Sequence, residues 1–354
     1  MEPKIAIFTG CFTNKFNIKN TVTNIGWMLE RYSLDLVTTT EPSYRTRIDE
    51  YYDTVYRGNF SSGRRAEAAL AWQYAAHNDP DLILQITRPP THGLVVGIVS
   101  EVHDIPFLYR YSGDRFRSYR YQDGYKKPVS YLVNNVFGRV PPVLADRSIV
   151  LGETGRKRLV RRNVPGERIV KIPPSINSKR FQRNDLGEID FGTDRDVILF
   201  IGRFTPQKGS RLLRQTLPRV VERREDLHFV FVGQRDGTEP ELSVIRDHVD
   251  FVGPVDPGRI PEYLHAADLL IHPSLTEGVP RVILEALSTG TPVLARNVGD
   301  VAEATSNLFS SKSEFVSKLT NWERLPVESP ERFYRKNVRK KLVNTVEEVI
   351  DDSD

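Results

Sequence analysis

The chain has one cysteine, Cys11, in 354 residues, so no intrachain disulfide can form and a reducing cytoplasm is the simplest home. No cluster of Cys and His with metal-ligand spacing is visible, and no metal or other cofactor is expected. No stretch approaches the roughly 18 apolar residues of a membrane span. The short apolar run in MEPKIAIFTGCF is broken by Gly10, too brief for a signal sequence and better read as a first strand. Repeats and low-complexity tracts are absent as well. The expectation is a cytoplasmic protein, soluble or peripheral on the inner face of the membrane.

What remains is an ordinary globular composition, 39% hydrophobic and 27% charged, in a chain long enough for two domains that each bury a core. The net charge of +4 is unevenly spread. Residues 1–180 carry 27 Lys and Arg against 17 Asp and Glu, whereas the remainder carries 23 against 29. A basic front half implies an anionic partner on that side.

Strand and helix signals alternate from the start. Strands are expected at 4–9, 34–39, 81–87, 106–111, 145–151 and 168–172, and helices at 20–32, 62–77, 91–103 and around 129–137. The polar stretch PPSINSKRFQRNDLGEIDFGTDRD marks the domain boundary, after which the pattern restarts. Strands at 196–201, 227–232 and 249–252 and helices at 210–223 and 257–267 lead into ADLLIHPSLTEGVPRVILEALSTGTPVLA, residues 267–295, a complete βαβ unit. Helices at 313–321 and 331–350 close the chain. This is an α/β chain of two Rossmann-like, doubly wound parallel-sheet domains facing a cleft. The first spans 1–175, the second 192–325, and 326–354 is a final helix that crosses back to the first.

Within the βαβ unit, Glu277 falls in the loop at the carboxyl end of a strand, and Glu285 one to two turns inside an almost wholly apolar helix. A carboxylate held away from water is costly unless it is paired or bonded to something. In open α/β sheets ligands bind in the crevice at the strand ends, where a helix N-terminus offers free N–H groups to anions. Carboxylates suit hydroxyls instead, so the mixture points to a ligand with both phosphates and sugar hydroxyls, the profile of a nucleotide sugar.

A second stretch, FIGRFTPQKGSRLL, leaves its strand through Gly202 and brings Arg203 and Lys208 to the strand end before Gly209 opens a helix. Two cations there can hold a diphosphate. The alternative is a strand-to-helix turn with solvated charges.

Taken in order, the GR…KG turn, the FVG at 231–233 and the 267–295 unit resemble the retaining glycosyltransferases of the GT-B fold, the glycosyl transferases group 1 family. The resemblance is good over about residues 145–303 and weak before that. It implies that Glu277 contacts the donor sugar near the reacting carbon and that Glu285 bonds the ribose. Arg203 and Lys208 would hold the diphosphate and stabilise the leaving group without a metal. Gly202, Gly278 and Val279 would meet the donor through their backbone. The implied activity is transfer of a hexose from a nucleoside diphosphate sugar to a hydroxyl of a glycan or lipid-linked acceptor. Rival readings are a nucleotide-sugar epimerase on the same fold and a non-catalytic nucleotide-sugar-binding partner of a glycan-assembly complex.

The front half departs from the pattern. After the first strand only Gly10 remains of a glycine-rich loop, so it is the one substrate-binding glycine assigned there. Where many relatives have a histidine after the fourth strand, this chain reads PFLYRYSGDRF. Asp114 is a candidate for the acceptor or the donor sugar, with a turn-capping role as the alternative, and His103 is a weaker candidate. Between Tyr109 and Tyr131, Arg and Lys alternate with Tyr and Phe, a mixture suited to an anionic membrane surface carrying the acceptor. Nucleic acid and plain solvated surface are the competing readings.

Overall fold

The computed structural model describes residues 2–10, 16–39, 48–58, 63–112, 116, 119–120, 124–182, 187, 189–235 and 240–352. The strands are near-continuous apolar runs such as KIAIFTG and LHFVFV, which suits parallel strands covered by helices on both faces. The chain divides into two units, residues 1–175 with 335–354 and residues 176–334. Each is a Rossmann-like α/β domain.

The first unit holds seven parallel strands: β1 (Lys4–Gly10), β2 (Ser33–Thr38), β3 (Thr54–Tyr56), β4 (Leu82–Gln85), β5 (Phe107–Tyr111), β6 (Arg147–Val150) and β7 (Ile169–Lys171). Their order is β3-β2-β1-β4-β5-β6-β7, so the winding reverses between β1 and β4. The helices are α1 (Phe16–Met28), α2 (Arg64–Asn78), α3 (His92–His103), α4 (Lys126–Asn135), α5 (Pro141–Leu144) and α6 (Glu153–Val160). Two apolar clusters cover the two faces, one built on Ile5, Ile7, Leu34 and Leu84, the other on Ala6, Phe8, Ile83 and Phe107. This alternation follows from side chains pointing to opposite faces along each strand.

The second unit has six parallel strands: β8 (Asp196–Ile201), β9 (Leu227–Val232), β10 (Val249–Gly253), β11 (Leu269–His272), β12 (Val293–Arg296) and β13 (Leu308–Phe309). The order β10-β9-β8-β11-β12-β13 reverses between β8 and β11. Its helices are α7 (Ser210–Val221), α8 (Ile260–His265), α9 (Arg281–Thr289) and α10 (Lys312–Leu319). Residues 176–191, expected to be linker, belong to this unit because Ile176 and Phe181 are buried in its core.

The last helix, α11 (Arg335–Asp351), belongs to the first unit. Val338, Leu342, Val346 and Val349 recur at helical spacing and are buried against the Ile5 and Leu84 side of the first sheet. Its charged face is anchored too. Arg339 pairs with Glu30 at 2.7 Å, Arg31 pairs with Glu347, and the Arg335 guanidinium lies 4.1 Å from the centre of the Trp27 ring. The helix was expected from Glu331. Glu331–Phe333 instead form a 3-10 turn and Tyr334 is extended, pairing with Ile176 in the second unit.

Candidate active site

The reversal of strand order between β8 and β11 opens a crevice at their carboxyl ends, the place where open α/β sheets bind ligands. Both sequence stretches singled out for chemistry emerge there. β8 leads into the turn at 202–209, and β11 leads into His272, Pro273 and the loop to Glu277. The two loops are tied by a backbone hydrogen bond in which the Leu275 N–H donates to the Gln207 carbonyl at 2.9 Å. Gly209 sits at φ +95°, and a Cβ there would lie 2.5 Å from the Pro273 carbonyl oxygen. Only glycine permits both that conformation and that approach.

This packing brings Lys208 and Glu277 into contact, Nζ to Oε1 at 2.5 Å. His272 Nε2 lies 3.2 Å from the same oxygen. Glu277 is largely buried and its burial raises the carboxyl pKa. The hydrogen bond and charge of His272, then the charge and hydrogen bond of Lys208, outweigh that and hold it at about 2. Glu277 is therefore an anion across the ordinary pH range.

Glu285 is buried at the middle of α9, where its charge faces Arg281 one turn earlier and Arg180. Burial raises its pKa, and the two guanidinium groups oppose the rise. Gly278 and Val279 lie between Glu277 and the N-terminus of α9, with Val279 buried. Gly202 is at φ +152°, donating its N–H to the Val232 carbonyl at 2.9 Å. Arg203 is exposed beside it. Among the described residues Arg203 has no side-chain ion pair, so it does not join the Lys208–Glu277 contact. No group of three or more His, Cys, Asp or Glu among the described residues is arranged to hold a metal ion.

In the first unit the corresponding reversal lies between β1 and β4. Gly10 ends β1 at φ +60° and packs against His92 and Arg88; a Cβ on Gly10 would lie 3.0 Å from His92 Cδ2. Arg88 has the uncommon left-handed φ of +44° and pairs with the buried Glu67. Backbone strain of this kind gathers at functional sites. His92 is 1% exposed, its Nδ1 has no hydrogen-bond partner, and burial, then the charge of Arg88, lowers its pKa to about 3 against an opposing backbone hydrogen bond at Thr87. Asp114 lies outside the described residues. His103 ends α3, at the opposite end from the His92 that begins it, and its ring meets Trp72 edge-on.

His92, Arg88, Glu67, His272 and Arg281 are the residues that sequence reasoning missed. His92 had a signal, since it follows a strand and opens a helix in TRPPTHG. His272 ends β11, and its sequence position alone carries no signal for the contact with Glu277.

Two parallel Rossmann-like sheets, each with its strand-end crevice at a reversal of order, make this a protein of the GT-B fold class. Residues 195–321 match the family described as Glycosyl transferases group 1. The structure of Anabaena Alr3699/HepE in complex with UDP superimposes with a TM-score of 0.72 at 16% identity, covering 98% of this chain and all of the other. D-inositol 3-phosphate glycosyltransferase 2 of Catenulispora acidiphila is 33% identical over 183 residues, 46% of this chain and 43% of that protein. The phosphatidylinositol N-acetylglucosaminyltransferase GPI3 subunit of Saccharomyces cerevisiae is 29% identical over 181 residues, 49% of this chain and 40% of that protein. The chain thus spans less than half the length of these relatives.

Proposed function

We propose that this chain is a glycosyltransferase that moves a hexose from a nucleoside diphosphate sugar to a hydroxyl group of a glycan or lipid-linked acceptor. The observation that carries the reading is the contact of Lys208, Glu277 and His272 at the strand-end crevice of the second unit. A cation and an ionised carboxylate there, beside the N-terminus of α9, match a ligand that joins phosphate to sugar. The HepE complex with UDP on the same fold supports a nucleotide donor, and both glycosyltransferase relatives support group transfer.

In this reading Lys208 and Arg203 neutralise the diphosphate, and the backbone of Gly202, Gly278 and Val279 meets the donor. Glu285 accepts hydrogen bonds from ribose hydroxyls. The bond between the anomeric carbon and the diphosphate oxygen breaks as the acceptor oxygen bonds to that carbon. The acceptor proton leaves with the diphosphate. Glu277, held ionised, faces the positive charge that develops on the sugar; the family resemblance is the support for proposing retention of configuration and independence of metal. Fixed cations at a leaving group commonly supply the largest catalytic term. The first unit offers the acceptor side: His92 stays neutral beside Gly10, while Asp114 is the further candidate. Its names give the two relatives inositol-bearing acceptors, which keeps a lipid-linked or polyol acceptor in view.

The test is incubation with UDP-glucose and other nucleoside diphosphate sugars, with and without glycan and lipid-linked acceptors. Release of nucleoside diphosphate that depends on the acceptor is the expected result. Conversion of the nucleotide sugar without any acceptor would make the protein an epimerase, and tight binding with no turnover would make it a binding partner.

A further inference from the structure

Helix α4 is packed inside out. Its buried residues are Asn134 and Asn135, Val133 is half-buried, and Val129, Tyr131 and Leu132 are exposed. Asn135 donates to the Phe116 carbonyl at 3.0 Å and accepts from Arg162 at 3.2 Å, while Asn134 bonds back to the Ser130 carbonyl at 2.7 Å. Arg162 in turn lies 3.5 Å over the Phe116 ring. A polar face so firmly docked leaves Val129, Leu132 and Val136, spaced for one helical face, outside. Phe137 and Val143 follow in the same run, and Tyr125 precedes it at 78% exposure. Eight of the large hydrophobic side chains exposed on this chain fall between residues 125 and 143. Scattered singly such residues are ordinary, but gathered in one segment they mark an interaction surface.

The charge of the segment says what covers it. Residues 124–145 contain Lys126, Lys127 and Arg139, all exposed, and not one Asp or Glu. Apolar side chains interspersed along one segment with three cations, with a tyrosine at its start, fit the boundary of an anionic bilayer. A second copy of the chain would bring the same cations against themselves. The aromatic and basic stretch at 109–131 had pointed to a membrane from its sequence, but Tyr109, Tyr111 and Phe116 are buried in the first core. The surface therefore begins downstream of them.

We infer that α4 and the turns after it, through Val143, form a docking surface for an anionic phospholipid bilayer. This deepens the reading of a lipid-linked acceptor, on which it rests. The apolar side chains enter the headgroup boundary and Lys126, Lys127 and Arg139 meet lipid phosphates. Among the described residues no helix is long and apolar enough to cross a membrane, so the contact is one of lying on the surface.

The experiment sediments the full chain with vesicles of phosphatidylcholine, with and without phosphatidylglycerol. Stabilisation by UDP in a thermal melt is measured on every variant, as a control that does not depend on lipid. Retention on the anionic vesicles at low salt, lost at high salt, is expected. The Lys126→Ser/Lys127→Ser variant should bind them roughly thirtyfold more weakly, since each cation near such a surface contributes about 1 kcal/mol. Val129→Ser/Leu132→Ser should weaken retention as well while leaving the UDP response intact. Wild type that stays in the supernatant, or variants retained as well as wild type, would overturn the docking surface. So would a dimer in sedimentation that Leu132→Glu dissolves, because the occupant would then be a second copy. If vesicles retain the protein but UDP does not stabilise it, the membrane surface stands and the nucleotide-sugar reading fails.

Discussion

Substituting His92 by glutamine probes the first unit at the reversal between β1 and β4. The imidazole is 1% exposed, and burial, helped by the charge of Arg88, takes its pKa from 6.5 to about 3. A folded-state pKa below the unfolded one means the unfolded chain binds the proton first. The stability this neutral histidine supplies is full above about pH 6.5 and is lost as pH falls towards about 3. At about pH 5 the difference corresponds to roughly 2 kcal/mol of lost stability. Urea unfolding followed at neutral pH and near pH 5 should show wild type losing about 2 kcal/mol more than His92→Gln. Proton NMR gives the direct view, because the chain has seven histidines and the resonance absent from His92→Gln is the one in question. That resonance should not titrate between roughly pH 5 and pH 8. A midpoint near the ordinary histidine value would refute the buried, neutral His92 and the acceptor-side role built on it.

Two other substitutions test the packing that positions the site. Gly209→Ala places a Cβ against the Pro273 carbonyl in a left-handed conformation, and should cost about 1–3 kcal/mol in thermal unfolding while weakening UDP binding. Unchanged melting and affinity would mean that the two loops of the crevice are not held together as described. Leu342→Ala, in the part of α11 buried under the first sheet, should cost about 2–5 kcal/mol and leave UDP affinity as it was, since the nucleotide crevice belongs to the other unit. A melt indistinguishable from wild type would show that α11 contributes little to the first core.

Most of the strands were legible because a buried parallel strand is a short apolar run bounded by turn residues, and β1, β8, β9 and β11 all have that form. The edge strands β3 and β13, three and two residues long, carry too little pattern to be read. The start of α11 was misread because the charge pattern of a helix continues through Glu331–Phe333, while the backbone there must leave one unit for the other. In the site, Lys208 and Glu277 stood out as candidates because each lies in a loop that follows a short apolar run readable as a strand. The partnership of His272 with Glu277 was not, since its evidence is a side-chain direction five residues away. The pairing of Glu67 with Arg88 joins two elements and has no sequence signal at all. The inverted packing of α4 was hidden for a related reason: periodicity locates an apolar face but does not say whether the protein or its surroundings will cover it.

The central claim is that the crevice between β8 and β11 binds the diphosphate of a nucleotide through Lys208. Isothermal titration of UDP into wild type and Lys208→Ala tests it most directly. A charge-assisted bond of about 1.5–3 kcal/mol predicts that the variant binds at least roughly tenfold more weakly. Equal affinity in the two proteins, or no heat of binding to wild type, would contradict the account.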